Sequence, residues 1–352
     1  MKWQCPNQQS VPPTHPSPSR GEGKGEGESS GFCALCSGKG FTLVELMIAI
    51  TISMIVISAT YAIHISQQRS FTAQDQVAEM NSTSKIVLDM IASDVREAGF
   101  GLPEAGTYNI NGFTGVITST DSSTVPDSIT LIGGYRKAGT LCSNSAGNVI
   151  SPNDTQMILV PPSGYSELDN INTTDKRNIS FAGLSFGIVL AGGGTTTTIT
   201  LQDPIGMAYP KYTDLDGNGQ CDDGEGVPVY VVEDYTYQAV GTDLRRVRRL
   251  NGGSPDTDVI AQNIEDFQVA YGVDINGNNI IESGEWLNAI SSTNRLLMMR
   301  INILARTARA DLNFQGQGNP PDSIENRNLT AIPDDSLRRR WWQMEVDLRN
   351  PV

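Results

Sequence analysis

The feature that most constrains this chain is Gly40–Ile65, GFTLVELMIAITISMIVISATYAIHI, an apolar run with a single acid, Glu45, close to its start. As a helix rising ~1.5 Å per residue, it is long enough to cross a hydrocarbon core about 30 Å thick. Lys39 precedes it, and a polar, helix-forming continuation follows with no Gly or Pro until Gly99. A carboxylate inside a membrane span is costly and is usually there for a reason, so Glu45 reads as a functional group.

Residues 41–98 therefore read as one helix, apolar all round over 41–65 and amphipathic over 66–99. In the second part Val77, Met80, Val87, Ile91 and Val95 recur at spacings of three, four or seven, while Asp75, Glu79, Lys85, Asp89 and Arg96 lie largely off that stripe. Gly99 is a natural stop. Residues 1–40 are rich in Pro, Gly, Ser and Glu, a composition that cannot bury a core. They read as a leader that is removed. Cys33-Ala-Leu-Cys36 within them is a lone CxxC, a weak metal or redox signal with only Cys5 and His15 nearby.

From residue 100 the pattern changes to short β-branched runs punctuated by Gly, Ser, Thr, Asn and Asp. Strands are expected at Ser128–Ile132, Gln156–Val160, Ile188–Leu190, Thr198–Leu201, Val227–Val232, Thr236–Val240, Ile264–Val273 and Arg300–Arg306. A last strand alternates Trp342, Met344, Val346 and Leu348 with polar neighbours. The fold class is α+β: a long N-terminal helix packed on an antiparallel β-rich head, residues 100–352.

The net charge of −14 leaves no basic patch able to compete for phosphates, so nucleic acid is not an expected partner. Arg245–Arg249 and Arg338–Arg340 read as solvated strand ends. The only histidines are His15 and His64, in the leader and the apolar helix, which removes His-based zinc sites and Ser-His-Asp triads from the head. No catalytic constellation emerges, and the chain does not read as an enzyme. Of five cysteines only Cys142 and Cys221 lie beyond residue 40. In an exported chain they could form one disulfide; sequence alone leaves open whether they meet.

The acidic balance suits a divalent cation. Asp214-Leu-Asp216-Gly-Asn218-Gly-Gln220-Cys-Asp222-Asp-Gly-Glu225 has the twelve-residue spacing of an EF-hand calcium loop. Asp214, Asp216, Asn218, Asp222 and Glu225 supply side-chain oxygens, Gln220 its carbonyl, and Gly219 the sharp turn. Asp274, Asn276, Asn278, Glu282 and Glu285, with the carbonyl of Ile280, repeat the spacing sixty residues on, and Asn279 replaces the turn glycine. The flanks read as strand rather than helix. Calcium is the expected ion at 214–225 and a weaker candidate at 274–285; the alternatives are a solvated acidic turn and an Asn-rich hairpin.

Gly40-Phe-Thr-Leu-Val-Glu45 followed at once by an apolar span resembles the processing site of type IV prepilins and type II secretion pseudopilins. Ile264–Asp274 running into an Asn-rich loop, then RINILART, then RRRWWQMEVDLRN resembles the PilW type of minor pilins. The resemblance implies that a prepilin peptidase cuts after Gly40 and methylates Phe41, and that Glu45 compensates the Phe41 ammonium of a neighbouring subunit. It further implies a single-pass inner-membrane protein with a periplasmic head, which then joins other pilins in a surface pilus. Major pilins often carry Gly and Pro in the hydrophobic half, and Met47–Ile65 has neither, which favours a minor, assembly-priming subunit. A minor pseudopilin of type II secretion and a membrane-anchored calcium-dependent adhesin are the alternative functions.

If the processing reading holds, mass spectrometry of the mature chain finds methylated Phe41 at the N-terminus, and Gly40→Ala or a bulkier residue leaves the precursor uncut. A normal mature band from such a variant would contradict it.

Overall fold

A computed structural model describes residues 41–102, 109–168, 171, 177–249, 254–290, 295–311, 314–316, 320–330, 332–333 and 335–349. Gly40 and the rest of the expected leader lie outside them. The chain divides into two units, 1–63 and 64–352.

Among the described residues there is one helix, α1 (Leu43–Glu97), 55 residues long, on the order of 80 Å at ~1.5 Å per residue. In the first unit every residue from Phe41 to Ile63 is exposed. In the second unit α1 buries Met80, Ser84, Val87, Leu88, Ile91, Ala92 and Val95. This is the expected stripe, with Val77 only partly buried at its rim. Gly99, at φ 79°, ends the helix in a left-handed turn, and its N–H donates to the Ile132 carbonyl at 2.9 Å.

Among the described residues fifteen strands follow: β1 (Ile117–Thr120), β2 (Ser128–Asn144), β3 (Gln156–Val160), β4 (Asn178–Phe181), β5 (Ser185–Gly193), β6 (Thr196–Leu201), β7 (Val227–Val240), β8 (Asp243–Arg248), β9 (Asp256–Gln262), β10 (Ile264–Val273), β11 (Trp286–Leu287), β12 (Leu296–Arg306), β13 (Ser323–Ile324), β14 (Arg327–Asn328) and β15 (Arg339–Asp347). Every pairing is antiparallel. The nine-stranded sheet has the order β1-β2-β3-β6-β5-β4-β7-β8-β9, and β2 also pairs with β7. Strands β2-β3-β6-β5-β4-β7 thus close into a six-membered ring. Inside the ring lie Leu141, Met157, Leu159, Ile179, Phe181, Val189, Ile199, Leu201, Val229 and Val231, all buried. Closure leaves this segment without a free strand edge.

A second core lies under α1. Its stripe meets Ile129 and Leu131 of β2, Tyr237 of β7 and Leu244 of β8, together with Phe267, Val269, Tyr271, Met299, Ile301, Ile303 and Val346 of the four-stranded sheet β11-β10-β12-β15. The two sheets are joined where Asp127 N–H donates to the Phe267 carbonyl at 2.8 Å and Val269 N–H to the Asp127 carboxylate at 2.9 Å. Strands β2 and β7 serve both cores. To do so β2 passes close to the end of α1, where a Cβ on Gly133 would come within 2.8 Å of the Glu97 carbonyl oxygen.

Two expectations change. Strand β7 is continuous across Glu233 and Asp234, where the sequence suggested a break between two strands. Both acids are buried and are met by guanidinium groups, Arg136 at 2.7 Å and Arg248 at 3.0 Å on Glu233 and Arg249 at 3.4 Å on Asp234. The arginine clusters are accordingly not simply solvated ends: Arg246 and Arg248 face acids from within β8. The Arg339 side chain is fully buried between Asp335, at 2.8 Å, and Glu265, at 3.0 Å.

Cys142 on β2 is disulfide-bonded to Cys221, 79 residues away in sequence. On the chain-entropy model a closed loop of that size stabilises the fold by roughly 4 kcal/mol. Reduction, or Cys142→Ser with Cys221→Ser, is expected to lower the melting temperature of the head by several degrees; an unchanged melt would show that the bond carries no stability.

Candidate functional site

The N-terminal end of α1 is built by a reciprocal cap. The Thr42 hydroxyl accepts from Glu45 N–H at 3.2 Å, and Glu45 Oε2 accepts from Thr42 N–H and its hydroxyl, both at 3.0 Å. This is a capping box: two orphan N–H groups of the first turn are satisfied without any outside partner. Among the described residues no cation lies at ion-pair distance from Glu45. Phe41 is 89 % exposed.

The next five turns carry Leu43, Val44, Leu46, Met47, Ile48, Ile50, Ile52, Met54, Ile55, Val56 and Ile57, all exposed. The hydroxyls of Thr51, Ser58 and Thr60 donate to the carbonyls of Met47, Met54 and Val56 at 2.7–2.8 Å, leaving those groups satisfied where water is absent. The helix is long and apolar enough to cross a membrane.

The second candidate is the loop between β6 and β7. Asp214 Oδ1 accepts from Gly217 N–H at 2.7 Å and Oδ2 from Gly219 N–H at 2.8 Å. Glu225 closes the turn, with Oε1 accepting from Leu215 N–H at 2.7 Å and Oε2 from Asp222 N–H at 2.9 Å. Asn218 Oδ1 accepts from Gln220 N–H at 2.6 Å. Gly219 adopts φ 77°, as the turn position requires. Carboxylate oxygens of Asp214, Asp216 and Glu225 lie within 4.8 Å of one another, an acidic cluster able to hold a metal ion. Asp222 instead accepts from the Asn218 amide at 2.7 Å.

This exposed loop is firmly anchored. Cys221 ties it to β2, Tyr212 N–H donates to the Cys142 carbonyl at 2.9 Å, and Asp223 turns away from the cluster. The Asp223 carboxylate takes Lys137 Nζ, the Thr140 hydroxyl at 2.7 Å and Ser163 N–H at 2.9 Å. Burial works to raise its pKa, but these donors outweigh it and hold the carboxyl well below the usual carboxylate range.

The loop between β10 and β11 repeats the frame sixty residues on. Ile275 N–H and Glu282 N–H donate to the two oxygens of Glu285 at 3.1 and 2.9 Å. Gly277 N–H donates to Asp274 Oδ1 at 2.7 Å, Asn279 N–H to Oδ2 at 3.0 Å, and Ile280 N–H to Asn278 Oδ1 at 2.8 Å. Asn279, at φ 61°, occupies the turn glycine's place. Asn276 Oδ1 accepts from Asn278 N–H at 3.0 Å. The acids here assemble no triad like that of the first loop; Asp274 and Glu285 are buried, and Arg295 Nη1 lies 3.1 Å from Asp274 Oδ2.

Sequence reasoning passed over Thr42, although Thr-x-x-Glu is a legible capping signal. It passed over Asp223 and Arg295 because their partners are distant in sequence or lie outside the loop motif.

Comparison with known proteins agrees with the two ends of the chain. Residues 37–61 match the prokaryotic N-terminal methylation motif, and residues 229–350 match the family model of type IV pilus-assembly protein W. None of the curated proteins matches. A type IV-like pilin of Thermus thermophilus is similar at 11 % identity over 77 % of this chain and 97 % of that one, with a TM-score of 0.35, a likeness that carries no weight here.

Proposed function

We propose that this chain, which belongs to the PilW-type minor pilins of type IV pili, is a non-enzymatic subunit that helps to prime filament assembly. The observation that carries the proposal is the bare apolar helix from Phe41 to Ile63, bearing the methylation motif at its start. Such a surface has two stable settings: lipid, or the helices of sibling subunits. Before assembly it anchors the protein in the inner membrane with the head in the periplasm. A prepilin peptidase removes residues 1–40 and methylates Phe41. In the filament, Glu45 faces the Phe41 ammonium of a neighbour. Two charges taken out of water together cost far less than either alone, so the pair sets the register between subunits.

Glu45→Val is expected to insert and be cut normally yet to be strongly depleted from sheared filaments relative to wild type. Incorporation at the wild-type level would sink the assembly role. The cap implies a subtler companion effect: Thr42→Val should fray the first turn without removing the charge.

Calcium at the first loop belongs to the same proposal. Asp214, Asp216 and Glu225 are already gathered, Asn218 and Asp222 are adjacent, and the carbonyl of Gln220 completes a set of hard oxygens of the kind calcium takes. The role is structural: the cation neutralises a dense acidic turn that the disulfide fastens to the barrel. An ion at a hundred times its Kd stabilises a fold by ~2.7 kcal/mol, so calcium should raise the melting temperature of the full chain in detergent by several degrees over a chelator control. Identical melts would exclude a calcium role.

A further inference from the structure

The two twelve-residue loops share one hydrogen-bonded frame but solve their electrostatics differently. The first carries four carboxylates at ligand places, Asp214, Asp216, Asp222 and Glu225; the second carries three, Asp274, Glu282 and Glu285, because Asn276 stands where Asp216 does. Among the described residues, no Arg or Lys lies at ion-pair distance from Asp214, Asp216 or Glu225. Lys137, the nearby ammonium, is held by Asp223 instead. In the second loop the first-position acid already has a cation.

Arg295 immediately precedes β12 and is fixed at two points. Its carbonyl accepts from Asp274 N–H at 3.0 Å, and its Nη1 donates to Asp274 Oδ2 at 3.1 Å. The Asp274 side chain is fully buried, whereas Arg295 is half exposed. With three backbone N–H groups and one guanidinium N–H on its two oxygens, Asp274 has little lone-pair capacity left for a metal. A guanidinium does not lose its proton at any pH a protein survives, so a divalent ion approaching this loop meets a permanent positive charge.

We infer that Arg295 is the built-in counter-charge of the second loop, standing in for the cation at Asp274, so that the chain takes up one divalent ion, at 214–225, and keeps 274–285 folded without one. This rests on the calcium reading of the first loop. It gives the repeated motif two distinct jobs: a turn that responds to the cation and a turn that is indifferent to it. Arg295 is thus a specificity-determining residue for where the ion goes.

The test is calcium stoichiometry of the full chain in detergent, by equilibrium dialysis with radioactive calcium, for wild type, Asp214→Asn, Arg295→Gln and Arg295→Lys. The inference expects one ion in wild type and none in Asp214→Asn. It expects two in Arg295→Gln, the second binding at least tenfold tighter than in wild type, and one in Arg295→Lys, which restores the charge. Two ions in wild type would overturn it while leaving calcium at the first loop intact. One ion in a normally folded Arg295→Gln would also overturn it. No ion in wild type but one in Arg295→Gln would remove the first-loop reading and uphold the masking by Arg295; no ion in any variant would end both.

Discussion

The structure depends on one unmet demand: every residue from Phe41 to Ile63 is exposed, apolar side chains included. Fully burying a Leu, Ile, Val or Met side chain is worth ~1.5–3 kcal/mol. The eleven such residues exposed between Leu43 and Ile57 therefore represent on the order of tens of kcal/mol withheld from water. Such a surface calls for an apolar environment, and the helix is long and apolar enough to find one in a membrane. Glu45 satisfies its local hydrogen bonds through Thr42, and among the described residues its charge has no cation at ion-pair distance.

The head meets a different constraint, a strongly acidic composition folded around buried polar groups. Glu233, Asp234, Asp266 and Asp274 are buried, and each has an arginine within ion-pair distance. Burying a lone carboxylate is costly, and a paired one much less so. Asp94, raised by burial, illustrates the balance on α1: the Tyr237 hydroxyl and Arg246 offset part of the cost. Glu233 and Asp234 lie on β7, with Arg136 of β2 and Arg248 of β8 on Glu233, so the acidity seen in the composition is partly internal wiring rather than surface.

The helix, its stripe and its stop at Gly99 were legible because no Gly or Pro interrupts 41–98 and a 3.6 period runs through its second part. Strands β3 and β10 were legible to the residue because turn-formers bracket them. Strand β2 was recognised only as far as Ile132. Its continuation, Gly133-Gly-Tyr-Arg-Lys-Ala-Gly139, looks like a loop because its glycines serve close backbone approach instead of flexibility. Strand β7 looked broken because Glu233-Asp234 can be buried only once its arginines are counted. Strands β1, β4, β8 and β9 carried too little hydrophobic pattern to stand out. Ring closure of β2 with β7 depends on pairings a hundred residues apart, which no local window contains. The acidic loops were read from spacing alone, and the frame of each follows that spacing. What spacing could not give was the disposition of Arg295 and Asp223, which decides how much charge each loop leaves unmet.

The Cys142–Cys221 bond bears on how the head would respond to tension. Strands β3, β4, β5 and β6 all lie between the two cysteines, so tension carried along the main chain passes across the sulfur bridge and never through them. At ~3.4 Å per extended residue, the 79-residue separation withholds on the order of 270 Å of contour length from any stretching load. A head strained until its sheets part would therefore yield short of its full length, with the segment from Cys142 to Cys221 left as a closed loop on the string.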